Sequence, residues 1–157
     1  MKHDQRRVAL SAVCVFFLWS CTDPEPSGPP TLQVGVDVCA DCGMSIIETK
    51  YAAAALHIVD GRREHAVFDD VGCMVFWQEQ QDAANILERW SGQSDRDGWI
   101  RVEDGHFVVG SSVQTPMDFH IVCCSTQAEA ARLIERAGGT LTPFASVKPM
   151  TAASMPK

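Results

Sequence analysis

Five cysteines and several methionines fall in a pattern that suits soft-metal chemistry. Cys39-Ala40-Asp41-Cys42-Gly43-Met44 places two thiols two residues apart, followed by a glycine and a thioether. Two such thiolates can clamp one ion, the glycine lets the chain turn tightly around it, and Met44 brings a third sulfur within reach. Thiolates and thioethers are soft ligands that select Cu(I) over hard cations. A CxxC pair alone equally suits half a zinc site, a redox couple or a structural disulfide. The adjacent methionine tilts the choice toward copper. Cys73-Met74 is a second sulfur pair, at the expected start of a helix, where the terminus favours a thiolate; both side chains are also suited to filling a core. Met117 follows Thr115-Pro116 in a rigid loop that suits a ligand or a packing residue. Among the histidines, His65 is the first choice for a nitrogen ligand because it lies just before Phe68-Asp69-Asp70. Cys42 and Met44 lead the expected ligand set, followed by Cys39 and Met74, with Cys73, Met117 and His65 as further members.

These residues need elements to position them. Tyr51 to Val59 is apolar and ends at Asp60-Gly61, a strong hairpin turn, and Arg62 to Phe68 returns as its partner. Asp69 or Asp70 caps a helix whose first turn contains Gly72, Cys73 and Met74 and which runs to about Gln81. Asp69 and Asp70 are also candidates for acid–base work, although capping accounts for at least one of them. Leu32 to Val38, Ile86 to Trp90 and Trp99 to Val102 are expected as strands. In the second half, His106 to Ser111 and Met117 to Cys124 read as strands. Thr126 and Glu129 fit a capping box for a helix stopped by Gly138-Gly139, and Leu141 to Val147 reads as a last strand. Cys123 and Cys124 are adjacent in a strand, so they face opposite sides and do not share one ion. The pattern predicts an α+β fold: two repeated ββαβ-type units, about 32–102 and 106–147, packed into one small domain.

The N-terminus reads as a targeting segment. Lys2, Arg6 and Arg7 precede an apolar run from Val8 to Trp19, too short for a membrane-spanning helix and suited to a signal peptide. It ends in Leu18-Trp19-Ser20-Cys21, which resembles the lipobox of bacterial lipoproteins, where the cysteine is acylated and becomes the first mature residue. Residues 1–20 are therefore the expected signal peptide, 21–31 the lipidated Cys21 with a flexible tether rich in Pro, Ser, Asp and Glu, 32–147 the folded domain, and 148–157 a disordered tail. Two or more acyl chains suffice for stable anchoring. Thr22, rather than Asp, follows Cys21; by resemblance to sorted lipoproteins, this favours the outer membrane.

Charge and cysteine count narrow the function. The 157-residue chain carries 13 basic and 20 acidic residues, a formal charge of -7. Loss of Lys2, Asp4, Arg6 and Arg7 with the signal leaves 10 basic and 19 acidic residues, or -9. Such a chain repels phosphate backbones, which argues against nucleic acid as a partner. Without Cys14 and Cys21, five of the seven cysteines remain. In an oxidising compartment an odd count leaves at least one thiol free or metal-bound. Glycine-rich phosphate loops, nucleophile elbows and zinc-protease signatures are absent from the sequence, so no enzyme is expected.

The ordered motifs resemble the NosL family of accessory lipoproteins. They are Cys39-x-x-Cys42-Gly43-Met44, Phe68-Asp69-Asp70 with Cys73-Met74, Trp99-Ile100, Phe107-Val108, Thr115-Pro116-Met117, and Gly138-Gly139 with Phe144. The similarity runs from about Val38 to Val147. It implies a periplasmic Cu(I) metallochaperone that supports maturation of nitrous oxide reductase or a similar copper enzyme, built from two ββαβ units. Two other readings stay open on the residues: thiol–disulfide exchange through Cys39 and Cys42, which needs a matched reduction potential, and a zinc-stabilised binding module, which unfolds when its metal is removed.

Overall fold

The computed structural model describes residues 24–148. The expected signal peptide, the lipidated Cys21 and the tail from residue 149 lie outside the described residues. Strands β1 (Ala53–Val59) and β2 (Arg62–Phe68) form the expected hairpin, pairing from Ala53 with Phe68 to Val59 with Arg62. Its turn is a tight two-residue one because Asp60 and Gly61 both take positive φ, 48° and 77°. That pairing of left-handed residues matches the natural twist of a hairpin. Helix α1 (Val71–Gln78) follows directly, then β3 (Ile86–Gly92) and β4 (Trp99–Arg101). The first sheet is antiparallel with order β2-β1-β3-β4.

The second sheet contains β5 (His106–Val109), β6 (Ile121–Cys124) and β7 (Thr140–Thr142), in order β6-β5-β7. Helix α2 (Gln127–Ala137) connects β6 to β7. Thr126 Oγ1 accepts from Glu129 N at 3.2 Å, which is one half of the expected capping box; the Glu129 carboxylate pairs with Arg132 instead. The described residues thus form an α+β fold of two antiparallel sheets and two α-helices. In each sheet the first strand of the half is central, flanked by the second and by the strand that follows the helix.

One core is shared by the two halves. Phe68, Val71, Met74 and Val102 from the first pack with Phe107, Ile121, Cys123 and Val147 from the second. A smaller cluster beneath α2 gathers Val108, Val122, Cys124, Ala130 and Leu133. Cys123 and Cys124 are therefore both buried, on opposite faces of β6, as adjacent strand residues must be. Residues 25–30, within the expected tether, lie along the first half. Arg63 pairs with Glu25 at 3.3 Å, His65 Nε2 donates to Gly28 O at 2.8 Å, and Trp99 Nε1 donates to Pro30 O at 3.0 Å.

Several element boundaries differ from the sequence reading, by one or two residues in β1, β3, β4 and β5, and in four places for a clear local reason. Leu32–Val38 is not a strand; Gly35 has φ +79°, and Val36 N and Asp37 N both donate to Gln33 O, closing a turn. Only Val38 pairs, through a single bridge to Ser45. Helix α1 stops at Gln78, three residues before Gln81, because the next amides of Gln80 and Gln81 tighten into bonds three residues back. Strand β6 begins at Ile121 rather than Met117, since Asp118 and His120 sit at φ 52° and 57°, incompatible with an extended chain. The last strand ends at Thr142 because Pro143 brings no amide to a ladder, and Phe144–Ser146 coils into a 3₁₀ turn.

Candidate metal centre

Three segments converge on one point. The first is the loop from Cys39 to Met44. Ala40 N donates to Val67 O at 2.8 Å, pinning it to the end of β2, and Gly43 N donates to Cys39 O at 3.0 Å, closing a turn of the CxxC segment. Gly43 adopts φ +76°, which a side chain would strain, so a glycine is required after Cys42. The second segment is Asp69, immediately after β2. The third is the first turn of α1, which carries Cys73.

Among the described residues, Cys39, Cys42, Asp69 and Cys73 offer ligand atoms that all lie within 4.8 Å of one another. Cys39 is 2 % exposed, Asp69 2 % and Cys73 0 %, whereas Cys42 is only partly buried. The Cys42 thiol donates to Asp69 Oδ1 at 3.5 Å. Asp69 Oδ2 is buried without a hydrogen-bond partner in the protein. An unpartnered buried carboxylate oxygen is costly, and a bound cation is one way to satisfy it.

The electrostatics divide the three thiols. A hydrogen bond from Cys73, helped by the Cys42, Asp69 and Asp41 amides, lowers Cys39 to about 6 against the desolvation of its site. Burial, together with the neighbouring Cys39 and Asp69, pushes Cys42 up to about 11. The same Cys39 bond and burial drive Cys73 far above the ordinary thiol range. The cluster thus carries its thiolate on Cys39, held by the Cys73 thiol and backbone amides, at neutral pH. A metal that takes all three sulfurs must displace the two remaining protons.

Asp69 and Asp70 are neighbours with separate tasks. Asp70 is fully buried and caps α1: its Oδ1 accepts from Gly72 N at 2.9 Å and its Oδ2 from Met117 N at 3.2 Å. Burial raises its pKa against these bonds and that of the Thr115 hydroxyl. Asp70 thereby ties the Thr115–Met117 loop to the helix that presents Cys73. Asp69 is the site residue that sequence reasoning did not place among the ligands. The available signal was the doubled acid before a helix: only one carboxylate can cap, and the other is left at the end of the hairpin that faces the CxxC loop.

The remaining expected ligands have varied positions. Met44 follows Cys42 and is 51 % exposed, while its backbone O accepts from Cys39 N at 2.8 Å. Met74 is wholly buried in the shared core, and Met117 packs against that core from its loop. His65 lies on β2, opposite Leu56 of β1, and its Nε2 is engaged by Gly28 O; it is not part of the four-residue group.

Comparison with known proteins places this arrangement. Among solved structures, the crystal structure of the copper chaperone NosL from Shewanella denitrificans is similar, with a TM-score of 0.62 and 20% sequence identity over 78% of this chain and 98% of that chain. At that identity the likeness shows the fold. No curated protein matches the chain. The NosL family model matches residues 32–152, from just before the CxxC loop to beyond the last 3₁₀ turn. The chain belongs to the NosL family.

Proposed function

We propose that the chain is an extracytoplasmic copper chaperone that holds Cu(I) between Cys39, Cys42 and Cys73, with Asp69 beside them, and passes it to a copper enzyme. The single observation that carries the reading is the convergence of three thiols and one unpartnered carboxylate oxygen. Sulfur donors of this kind favour a soft monovalent ion. Family membership and the copper-chaperone title of the similar solved structure support the same cargo. No substrate bond need break; the chemistry is exchange of ligands.

The burial pattern supports a stepwise release. Cys39, Cys73 and Asp69 are enclosed, so an incoming ligand meets Cys42 first. In this reading the exposed Met44 assists as a thioether, and Met74 and Met117 are reserve sulfurs within or against the core. The outer face also suits a protein acceptor: Val34, Val36, Val38, Met44 and Ile47, all in the segment around the CxxC loop, are exposed. His65 is the weakest member of the expected ligand set, given its bond to Gly28.

The client is nitrous oxide reductase or a similar copper enzyme, and the chain is anchored through acylated Cys21 on the periplasmic side, with the outer membrane favoured by Thr22. Residues 1–20 are the signal, 21–31 the lipidated cysteine and tether, 32–147 the body, and 148–157 the tail. The two halves are read as copies of one ββαβ unit; the common strand order in the two sheets supports this.

An anaerobic titration of the reduced chain with Cu(I) against a competing chelator tests the proposal. One tight equivalent, weakened in Cys42→Ala without loss of the circular dichroism of the folded chain, is the expected result. Unchanged affinity in Cys42→Ala would refute the ligand assignment, and no binding beyond that of free thiols would refute the cargo.

A further inference from the structure

Four of the seven residues from Pro24 to Pro30 are proline. Proline brings no amide to a ladder, so this stretch is unsuited to a sheet edge, and it is held through its carbonyls instead. His65 Nε2 donates to Gly28 O at 2.8 Å, Trp99 Nε1 donates to Pro30 O at 3.0 Å, and Glu25 pairs with Arg63 at 3.3 Å. His65 lies on β2 and Trp99 on β4, the two edges of the first sheet. Ala66, Phe68 and Ile100 pack on the shared core, so alternation turns Arg63, His65 and Trp99 to the outer face. Residues 25–30 therefore form a strap over that face from one edge to the other. Leu56, which the register puts on the same face opposite His65, is 1 % exposed, so the face is covered rather than open to water.

We propose that this strap fixes how the domain stands on its membrane: acylated Cys21 holds the Asp60-Gly61 hairpin tip against lipid headgroups, and the metal centre at the far end of the same hairpin faces away from the bilayer. The proposal rests on the anchoring of Cys21 read above and adds an orientation that anchoring alone does not supply.

Length and direction both point this way. Glu25, the first residue held, is four positions after Cys21. A link of that length reaches at most about 14 Å, against about 40 Å for one that ran unheld to Leu32. Traced back from Pro30 toward Cys21, the strap passes Trp99, then His65, then Arg63, two residues from Gly61. It therefore leaves the domain beside the turn. Asp69 lies at the other end of the hairpin, six residues beyond Arg63, or about 20 Å at the rise of a strand. Charge acts in the same sense. At the tip Arg62 and Arg63 balance Asp60 and Glu64, with Glu25 paired to Arg63, whereas Thr31 to Thr49, which holds the CxxC loop, carries Asp37, Asp41 and Glu48 and no lysine or arginine. An anionic lipid surface repels that segment more strongly than the tip. Arg62, exposed at the tip, offers its guanidinium to lipid phosphate. The centre is thus presented to a soluble acceptor, and the exposed apolar residues around it stay clear of lipid.

Lipid photo-crosslinking of the full-length chain tests this. A benzophenone side chain is placed at Arg62 or, separately, at Ile47, which is 64 % exposed beside the CxxC loop. Each chain is put into vesicles of phosphatidylethanolamine and phosphatidylglycerol, irradiated and analysed by mass spectrometry. Phospholipid adducts are expected from Arg62, and none above background from Ile47. Equal adducts from the two sites, or more from Ile47, would overturn the orientation. Inserting ten Gly/Ser residues after Thr22 lengthens the link from four residues to fourteen with the strap untouched, and adducts at Arg62 should fall about sixfold as the local concentration drops. Adducts that the insertion leaves unchanged would overturn the role of the short link. Trp99→Phe combined with His65→Ala removes both donors to the strap and should lower the adducts likewise; an unchanged yield in that variant would overturn the role of the strap. The mass of the N-terminal peptide reports acylation separately. An unacylated Cys21 would overturn the anchoring reading and the orientation with it, whereas an acylated chain labelled equally at both sites overturns the orientation alone.

Discussion

The Cys42 thiol donates to Asp69 Oδ1 at 3.5 Å across 27 residues of sequence, and this contact joins the CxxC loop to the end of the β1–β2 hairpin. It leaves Oδ2 of the same carboxylate with no protein partner in a site that is almost closed to solvent. One carboxylate therefore both orients a sulfur and presents an unused acceptor to whatever enters the cluster.

Asp69→Asn should separate these roles from folding. The amide keeps the shape of the side chain, so the folded state should persist. Removal of the negative charge beside the thiolates should weaken Cu(I) binding by about 10- to 100-fold, the range typical of groups that orient or support metal ligands. Chelator competition on the reduced protein measures it. An affinity equal to that of the parent would show that Asp69 contributes neither charge nor orientation.

Asp70→Ala should instead act on stability. The change removes the cap on Gly72 N and leaves the amide of Met117 without its carboxylate. Loss of an N-cap costs about 1–2 kcal/mol, and a stranded part-buried amide adds about 1 kcal/mol or more. Denaturant unfolding of the metal-free chain should thus show a loss of about 2–3 kcal/mol. A loss under about 0.5 kcal/mol would mean that neither bond is maintained in solution.

The difference between these neighbouring acids marks the limit of what the sequence alone made legible. The hairpin at Asp60-Gly61, the cap before α1 and the cap of α2 were readable because each depends on residues within a few positions. The CxxC loop was readable as a sulfur site for the same reason. Which of Asp69 and Asp70 caps, and which faces Cys42, depends on where a loop 27 residues away is pinned to Val67. The early Leu32–Val38 segment misled because its apolar composition suits a strand, whereas the left-handed Gly35 and the Gln33–Asp37 turn decide its path. His65 was favoured by its distance in sequence from Asp69, but alternation along β2 and the Gly28 carbonyl set its direction.

Gly92→Ala should be among the most damaging single-methyl additions. A Cβ at Gly92 would lie 2.0 Å from Thr49 O, a backbone atom that cannot rotate away. Gly92 N also donates to Ala52 O at 2.7 Å, so β3 cannot simply shift outward at this point. Overpacking of this kind costs about 1–3 kcal/mol, occasionally more. Thermal unfolding should fall accordingly; an unchanged midpoint would show that the segment before β1 moves aside freely.

The stability of the reduced, metal-free chain should pass through a maximum with pH. The Cys39 thiol lies at about 6 when folded and at the ordinary 9.0 when unfolded. Between those values the unfolded chain binds the extra proton, so stability rises with pH. The stabilisation is fully present above 9.0 and is lost as pH falls through about 6. Cys42, pushed up to about 11, and Cys123, pushed up to about 12 by burial, act in the opposite sense. Above 9.0 the unfolded chain releases protons that these folded thiols retain, so stability falls again. Buried Cys73 and Cys124, also raised, add to that fall. Anaerobic denaturant titrations across this span should therefore show a rise, a summit near the ordinary thiol value and a decline. In Cys39→Ser the rise should flatten while the decline from Cys123 and Cys124 persists. A parent profile that is level from about 6 to 9.0 would show that no thiolate is held in the metal-free cluster.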